Sequence, residues 1–271
     1  MGISRQAHYQ WQHRRVQDEV KRERTLELVK TKRLRQPRLG TRKLHHLLGP
    51  TLVAEGCGLG RDALFDLLRW NRLLVPTKRA YHKTTNSHHG FRRHPNLLKA
   101  GPDQVSAEAS EQVWVADITY LPTRERCAYL SLITDAYSRK IVGYHVHDSL
   151  HTAEVSQALK MALNGRQGNR PLIHHSDRGV QYCANEYQAI HQKHGVICSM
   201  TDGYDCYQNA LAERVNGILK QEFLLQTPED LHQARRMVSQ SIAIYNQERP
   251  HFSLQLKTPD EVHRASLQAS N

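Results

Sequence analysis

The sequence predicts a basic, all-helical N-terminal region followed by an α/β domain built on a mixed five-stranded sheet with helices. Two observations carry this. First, the charge is divided unevenly: residues 1–105 hold 22 Lys+Arg against 8 Asp+Glu, so +14, and the remainder 16 against 18, so −2, within a net +12. Second, apolar residues follow helical spacing in the first part, whereas beyond residue 105 β-branched runs alternate with helical ones. The expected division is therefore 1–105, a helical DNA-binding region with its linker, and 106–271, a sheet-based core with a helical C-terminal extension. A polyanion, most simply nucleic acid, would be held by the first part through phosphate neutralisation; the plainer alternative is a solvated basic surface.

Each N-terminal element has its own signal. Val16–Leu34 is rich in Lys, Arg and Glu with sparse apolar residues, an exposed helix that Pro37 ends. Thr41–Leu48 reads as a short amphipathic helix closed by Gly49-Pro50. After Gly56-Cys57-Gly58-Leu59-Gly60, residues Arg61 to Leu74 place Leu64, Phe65, Leu67, Leu68 and Leu73 at helical spacing. Two short helices about a glycine-rich turn suggest a helix-turn-helix, with Arg42, Lys43, Arg61, Arg69 and Arg72 as candidate DNA contacts. Lys78–Pro102 reads as a basic linker. The pairs His45-His46, His88-His89 and His174-His175 lack cysteine partners at metal-ligand spacing and read as solvent- or phosphate-facing histidines.

In the second part, Val113–Leu121, Tyr129–Thr134 and Ile141–Val146 form a three-strand meander separated by polar turns. Ala153–Leu163 follows as a helix, Leu172–His175 as a strand, Asn185–His194 as a helix, Val196–Met200 as a strand and Asn209–Leu225 as a long helix. Three strands, helix, strand, helix, strand, helix is the order of a ribonuclease H-like fold. Trp114 and Tyr120 are expected to pack in the sheet.

Three acids in dense motifs fall on this frame. Asp117 lies within the first strand, in Trp114-Val115-Ala116-Asp117-Ile118-Thr119-Tyr120. Asp177 follows the fourth strand, in His174-His175-Ser176-Asp177-Arg178-Gly179-Val180-Gln181-Tyr182. Glu213, separated from Asp177 by thirty-five residues, lies in Asn209-Ala210-Leu211-Ala212-Glu213-Arg214-Val215-Asn216-Gly217. If the first and fourth strands are neighbours, Asp117 and Asp177 meet at the carboxyl end of the sheet, where open α/β folds place ligands. Two close carboxylates repel. A pair of divalent cations about 4 Å apart would neutralise them and orient an in-line phosphoryl displacement. Oxygen ligands favour Mg²⁺, with Mn²⁺ as substitute. On the last helix, Leu211, Ala212, Val215, Ile218, Leu219 and Phe223 share an apolar face, while Glu213, Asn216 and Lys220 lie together opposite it. Glu213 would reach the metal, and Lys220 the phosphate of DNA; the alternative is a surface Glu–Lys pair, for which seven residues is a long spacing. His175, Ser176, Arg178 and Gln181 flank the second acid as candidate DNA-seating or structural residues.

Trp-x-x-Asp-Ile-Thr-Tyr, His-Ser-Asp-Arg-Gly-x-Gln-Tyr and Asn-Ala-x-Ala-Glu-Arg-x-Asn-Gly-x-Leu-Lys together resemble the integrase (DDE) core of bacterial insertion-sequence transposases, of the OrfB type of the IS-three family. Gly2-Ile3-Ser4-Arg5-Gln6-Ala7 and Gly40-Thr41-Arg42-Lys43-Leu44 resemble that family's N-terminal region, and Tyr245-Asn246-Gln247-Glu248-Arg249-Pro250-His251 its C-terminal signature. The resemblance implies that Asp117, Asp177 and Glu213 are a catalytic, metal-binding triad, that Lys220 contacts DNA, and that the chemistry is nicking at element ends followed by strand transfer. It also implies double-stranded DNA as partner, an upstream OrfA product or fusion, and a homo-oligomer on DNA. Gln208 departs from the family, which usually has an acid there; Asp202 and Asp205 are nearby. Competing readings are a catalytically silent DNA-binding regulator or domesticated transposase, and a ribonuclease H-type nuclease. Five dispersed cysteines suggest reduced thiols, and no apolar run suggests a membrane span or a signal peptide. The expected setting is the bacterial cytoplasm, on the nucleoid when DNA is bound.

Overall fold

The unbroken burial of Val113–Ala116 at the start of Val113–Pro122 fits a central strand, and the computed structural model places that strand (β1) in the middle of a five-stranded sheet. The structure describes residues 5–76, 94–102, 104–202 and 209–269. Among these, the residues up to 76 form one compact unit and those from 94 onward a second.

In the first unit, α1 (Arg5–Arg35) is exposed over residues 5–23 and buries Thr25 and Val29 further on. It packs with α2 (Thr41–Ala54) and α3 (Arg61–Trp70) around Val29, Leu39, Leu44, Leu48, Leu52, Leu64 and Leu68. The first helix starts earlier than expected. The second runs through Gly49-Pro50 instead of stopping there: Leu44, Leu48 and Leu52 are spaced one turn apart and all bury, which outweighs the ladder bond that proline lacks. The third ends at Trp70, short of Leu74. Arg72 takes φ 53°, and Leu73 N–H donates to the Leu68 carbonyl and Arg72 N–H to that of Arg69, closing the helix as a left-handed cap.

The sheet order is β3-β2-β1-β4-β5, with β1, β2 (Cys127–Asp135) and β3 (Ile141–His147) antiparallel and β4 (Ile173–Ser176) and β5 (Ile197–Met200) parallel to β1. This is the ribonuclease H-like arrangement that the element order predicts. On one face lie α4 (Thr152–Asn164), the short α5 (Val180–Cys183) and α6 (Asn185–His194), around Trp114, Ala116, Ile133, Leu159, Tyr182, Tyr187 and Met200. On the other lie α7 (Ala210–Ile218), a π-helical turn (Leu219–Phe223) and α8 (Leu231–Glu248), around Leu130, Leu132, Val146, Val215, Leu219, Val238 and Tyr245. A last helix, α9 (Pro259–Gln268), is opened by a Thr258/Glu261 capping box and buries His263, whose ring meets Ser138 and Glu111. Helix α4 approaches β3 so closely at Gly143 that a Cβ there would collide with the Ala158 carbonyl.

Trp114 is fully buried as expected, but Tyr120, near the end of β1, is exposed beside Tyr129. Most of the expected linker (77–93, with His88-His89) lies outside the described residues. Its end does not behave as a linker: Met200 N–H donates to the Pro95 carbonyl and Leu97 N–H to Ser199 Oγ, joining this segment to β5. The second unit therefore begins before residue 106.

Candidate active site

The site is built from strand register upward. β1 and β4 pair in parallel, Trp114 with His174 and Val115 with His175. Carrying that register on by two residues sets Asp117 opposite Asp177 on strands about 4.8 Å apart, with both side chains on the same face by alternation. That face is the one covered by α7, which carries Glu213.

Hydrogen bonds orient two of the three acids. Asn216 Nδ2 donates to Asp117 Oδ2 (2.7 Å), and Asn209 Nδ2 to the Ala116 carbonyl (3.0 Å), so α7 is docked to β1 at two points one heptad apart. Gly179 N–H donates to Asp177 Oδ1 (2.9 Å), an Asx turn that orients the carboxylate just past the strand. Glu213 is exposed at the start of α7.

The three acids sense one another. Burial first, then the charge of Asp177 and, against the Asn216 hydrogen bond, that of Glu213, push the Asp117 carboxyl up to about 7. Glu213 is raised too, by desolvation and then by Asp177. Lys220, in the π turn, is lowered by burial, while the Asp117 charge works in the opposite sense. Asp117 and Glu213 thus lie in a partly desolvated anionic site with Lys220 in electrostatic reach. Among the described residues no three His, Cys, Asp or Glu side chains converge as a ready-made metal cage. Mutual repulsion opposes that convergence as long as the charges are uncompensated.

The structure redirects several sequence-predicted residues. Asn216, expected to face DNA, is 4% exposed and turned inward to Asp117. Lys43 is buried within the first unit, whereas Arg42, Arg61 and Arg69 are exposed, the last two beside Asp62 and Asp66. Arg72 is exposed in the cap after α3, not on the helix. Arg178 is largely buried, 4.0 Å from Asp202. His174 and His175 do not face solvent or phosphate. His174 packs among Tyr182, Tyr187 and His191, and burial holds it well below the ordinary histidine range; His175 Nδ1 meets Ser199 Oγ at 2.8 Å. Ser176 is buried, its hydroxyl donating to the Asp177 carbonyl. Gln181 donates to the Leu150 carbonyl. Asp205 and Gln208 lie outside the described residues. The sequence reading missed the docking role of Asn209; its signal was the seven-residue spacing to Asn216, interleaved with the same spacing of Glu213 and Lys220.

Comparison with known proteins agrees with this geometry. Two integrase core domain families match residues 107–206 and 194–259. The Insertion element IS600 uncharacterized 31 kDa protein of Shigella sonnei is 36% identical over 257 residues, covering 93% of this chain and 92% of that protein. Transposase InsF for insertion sequence IS3A of Escherichia coli (strain K12) is 33% identical over 171 residues, 63% of this chain and 58% of that protein. The chain belongs to the IS3 family of insertion-sequence transposases. Its core is accordingly that of a DDE-type polynucleotidyl transferase. A chain of a simian T-cell lymphotropic virus intasome is 19% identical with a TM-score of 0.50, covering 83% of this chain and 74% of that one, which speaks for the shared fold. No helix among the transposase's described residues is long and apolar enough to cross a membrane.

Proposed function

We propose that this chain is the catalytic subunit that cleaves DNA at insertion-sequence ends and joins the freed 3′-hydroxyl to target DNA, with Asp117, Asp177 and Glu213 as its metal-binding triad. What supports the reading is the placement on one sheet face of acids from β1, the end of β4 and α7, where burial first, and then the charges of Asp177 and Glu213, raise the Asp117 carboxyl. The donor set fits a hard cation: three carboxylates and no thiolate. Two bound Mg²⁺ (or Mn²⁺) ions would supply an activated oxygen nucleophile and stabilise the leaving oxygen.

The chain's own residues do the rest. Asn216 and the Gly179 N–H orient the Asp117 and Asp177 carboxylates toward the shared face. Lys220 offers an ammonium to a phosphate of the strand being cut. Arg42, Arg61, Arg69 and Arg72, exposed on the basic N-terminal unit, neutralise phosphates of the terminal repeat, and Arg178 flanks the second acid. The partners are element-end and target DNA, an upstream OrfA product, and further copies of the chain, because two ends are cut together. The setting is the bacterial cytoplasm, at the nucleoid.

The test is Mg²⁺-dependent nicking and strand transfer on a labelled duplex carrying the flanking terminal repeat, with and without the OrfA product. Wild type would cut, while Glu213→Gln and Asp177→Asn would bind the duplex without cutting it. Binding without cutting by the wild type, even with OrfA, would establish a silent DNA binder instead.

A further inference from the structure

The C-terminal signature Tyr245–His251 takes no part in the site described above, yet it touches the turn that carries Lys220. That turn is π-helical over Leu219–Phe223, closed by Leu224 N–H donating to the Leu219 carbonyl (2.9 Å). Such turns are uncommon and weaker than the α-helix they interrupt, and they persist where tertiary contacts hold them. Here the contact is Glu222. Arg249 Nε and Nη2 donate to its two carboxylate oxygens at 2.8 and 2.7 Å, a bidentate pair with the guanidinium side chain only 4% exposed. Arg249 lies 5.9 Å from the Tyr245 ring centroid, and its Nη1 donates to His251 Nε2 at 3.0 Å.

The other end of the signature is anchored to the sheet. Asn246 pairs with the backbone of Ile141, accepting from its N–H and donating to its carbonyl (2.9 Å each), and Tyr245 OH donates to the Arg139 carbonyl (3.1 Å). One short segment therefore bridges the start of β3 and the π turn. Because the turn contains one residue more per hydrogen-bonded ring than an α-helix, a return to α-geometry would rotate Lys220 relative to Glu213 and Asp117.

We propose that Arg249, acting through Glu222, is a positioning residue for Lys220: the buried bidentate pair holds the π turn in the register that keeps the lysine beside the triad. This rests on the reading of Lys220 as the residue that meets DNA phosphate. Lysine at 249 keeps the charge and loses the fork, and glutamine at 222 keeps the shape and loses the charge.

The experiment uses the full chain and Mg²⁺-dependent nicking of the terminal-repeat duplex. Arg249→Lys and Glu222→Gln are each made alone and on a Lys220→Ala background. Each single change lowers kcat/KM about tenfold, and on the Lys220→Ala background each lowers it less than about twofold, since groups acting through one another do not add. Equal losses on both backgrounds mean a merely structural pair and overturn the proposal. Loss from Lys220→Ala with none from Arg249→Lys or Glu222→Gln overturns it while leaving the Lys220 reading intact. Wild-type nicking by Lys220→Ala overturns that reading and the proposal with it. If Arg249→Lys fails to fold, the part-exposed Glu222→Gln pair decides.

Discussion

Asp117→Asn should stabilise the metal-free protein while abolishing its activity, and the gain should depend on pH. The carboxyl is held at about 7 against an unfolded value of 3.8. An acid whose folded-state value is raised withdraws stability as pH climbs through that window, here from about 4 to about 7. The difference corresponds to about 4 kcal/mol at pH 8. Because Asp117 is part-exposed, solvent screens some of this, and ~2–3 kcal/mol is the expected gain. Asparagine is isosteric, and its side-chain oxygen still accepts from Asn216, so little else changes. For a unit of this size the shift is roughly 5–10 °C in Tm. Thermal unfolding in EDTA at pH 8 and pH 5 checks it: about a third of the gain should remain at pH 5, where the folded carboxyl is already protonated. Added Mg²⁺ should raise the wild-type Tm and leave the variant's nearly unchanged. A variant no more stable than wild type at pH 8, or equally stabilised at both pH values, would refute the picture of three mutually repelling carboxylates.

Three further outcomes are expected. Asn216→Ala removes the donor that orients Asp117 and should weaken Mn²⁺ binding about tenfold or more by calorimetry; unchanged affinity would show the amide to be idle. His191 is pushed down to about 4 by burial and then by His94, so its contribution is whole above pH 6.5 and is lost as pH falls toward 4, up to ~3 kcal/mol. His191→Gln should therefore flatten the decline of the urea midpoint between pH 7 and 4.5, and an unaltered slope would count against a neutral, buried ring. Gly143→Ala drives a methyl into the Ala158 carbonyl and to 2.9 Å from the Ala162 side chain, and should cost about 1–3 kcal/mol or prevent folding; a wild-type Tm would contradict the close approach of α4 to β3.

Local signals were legible wherever they rest on a residue's own chemistry. Helix α6 has the bounds expected for it, and Gly195, with φ 63° and its N–H donating to the Gln192 carbonyl, caps it. The same cap after α3 is made by Arg72, which no sequence rule marks, so that helix was drawn too long. The stop at Gly49-Pro50 failed for the complementary reason: burial of Leu52 depends on a core that three helices assemble, and it overrides a local breaker. The π turn at Leu219–Phe223 was equally invisible, because the Arg249–Glu222 pair that holds it joins residues twenty-seven apart.

By itself the sequence determined the element order, the sheet-based core, the basic first unit and the identity of three acids in dense motifs. Periodicity, charge and hard oxygen donors are properties of residues and near neighbours, and they survive without a fold. Tertiary structure alone decided which polar groups face inward. Asn216 was assigned to DNA and serves Asp117, the His174-His175 pair was assigned to solvent and fills the core, and Lys43 is buried. The direction of a polar side chain depends on which buried donors and acceptors lie across from it, and those are brought by strands and helices distant in sequence.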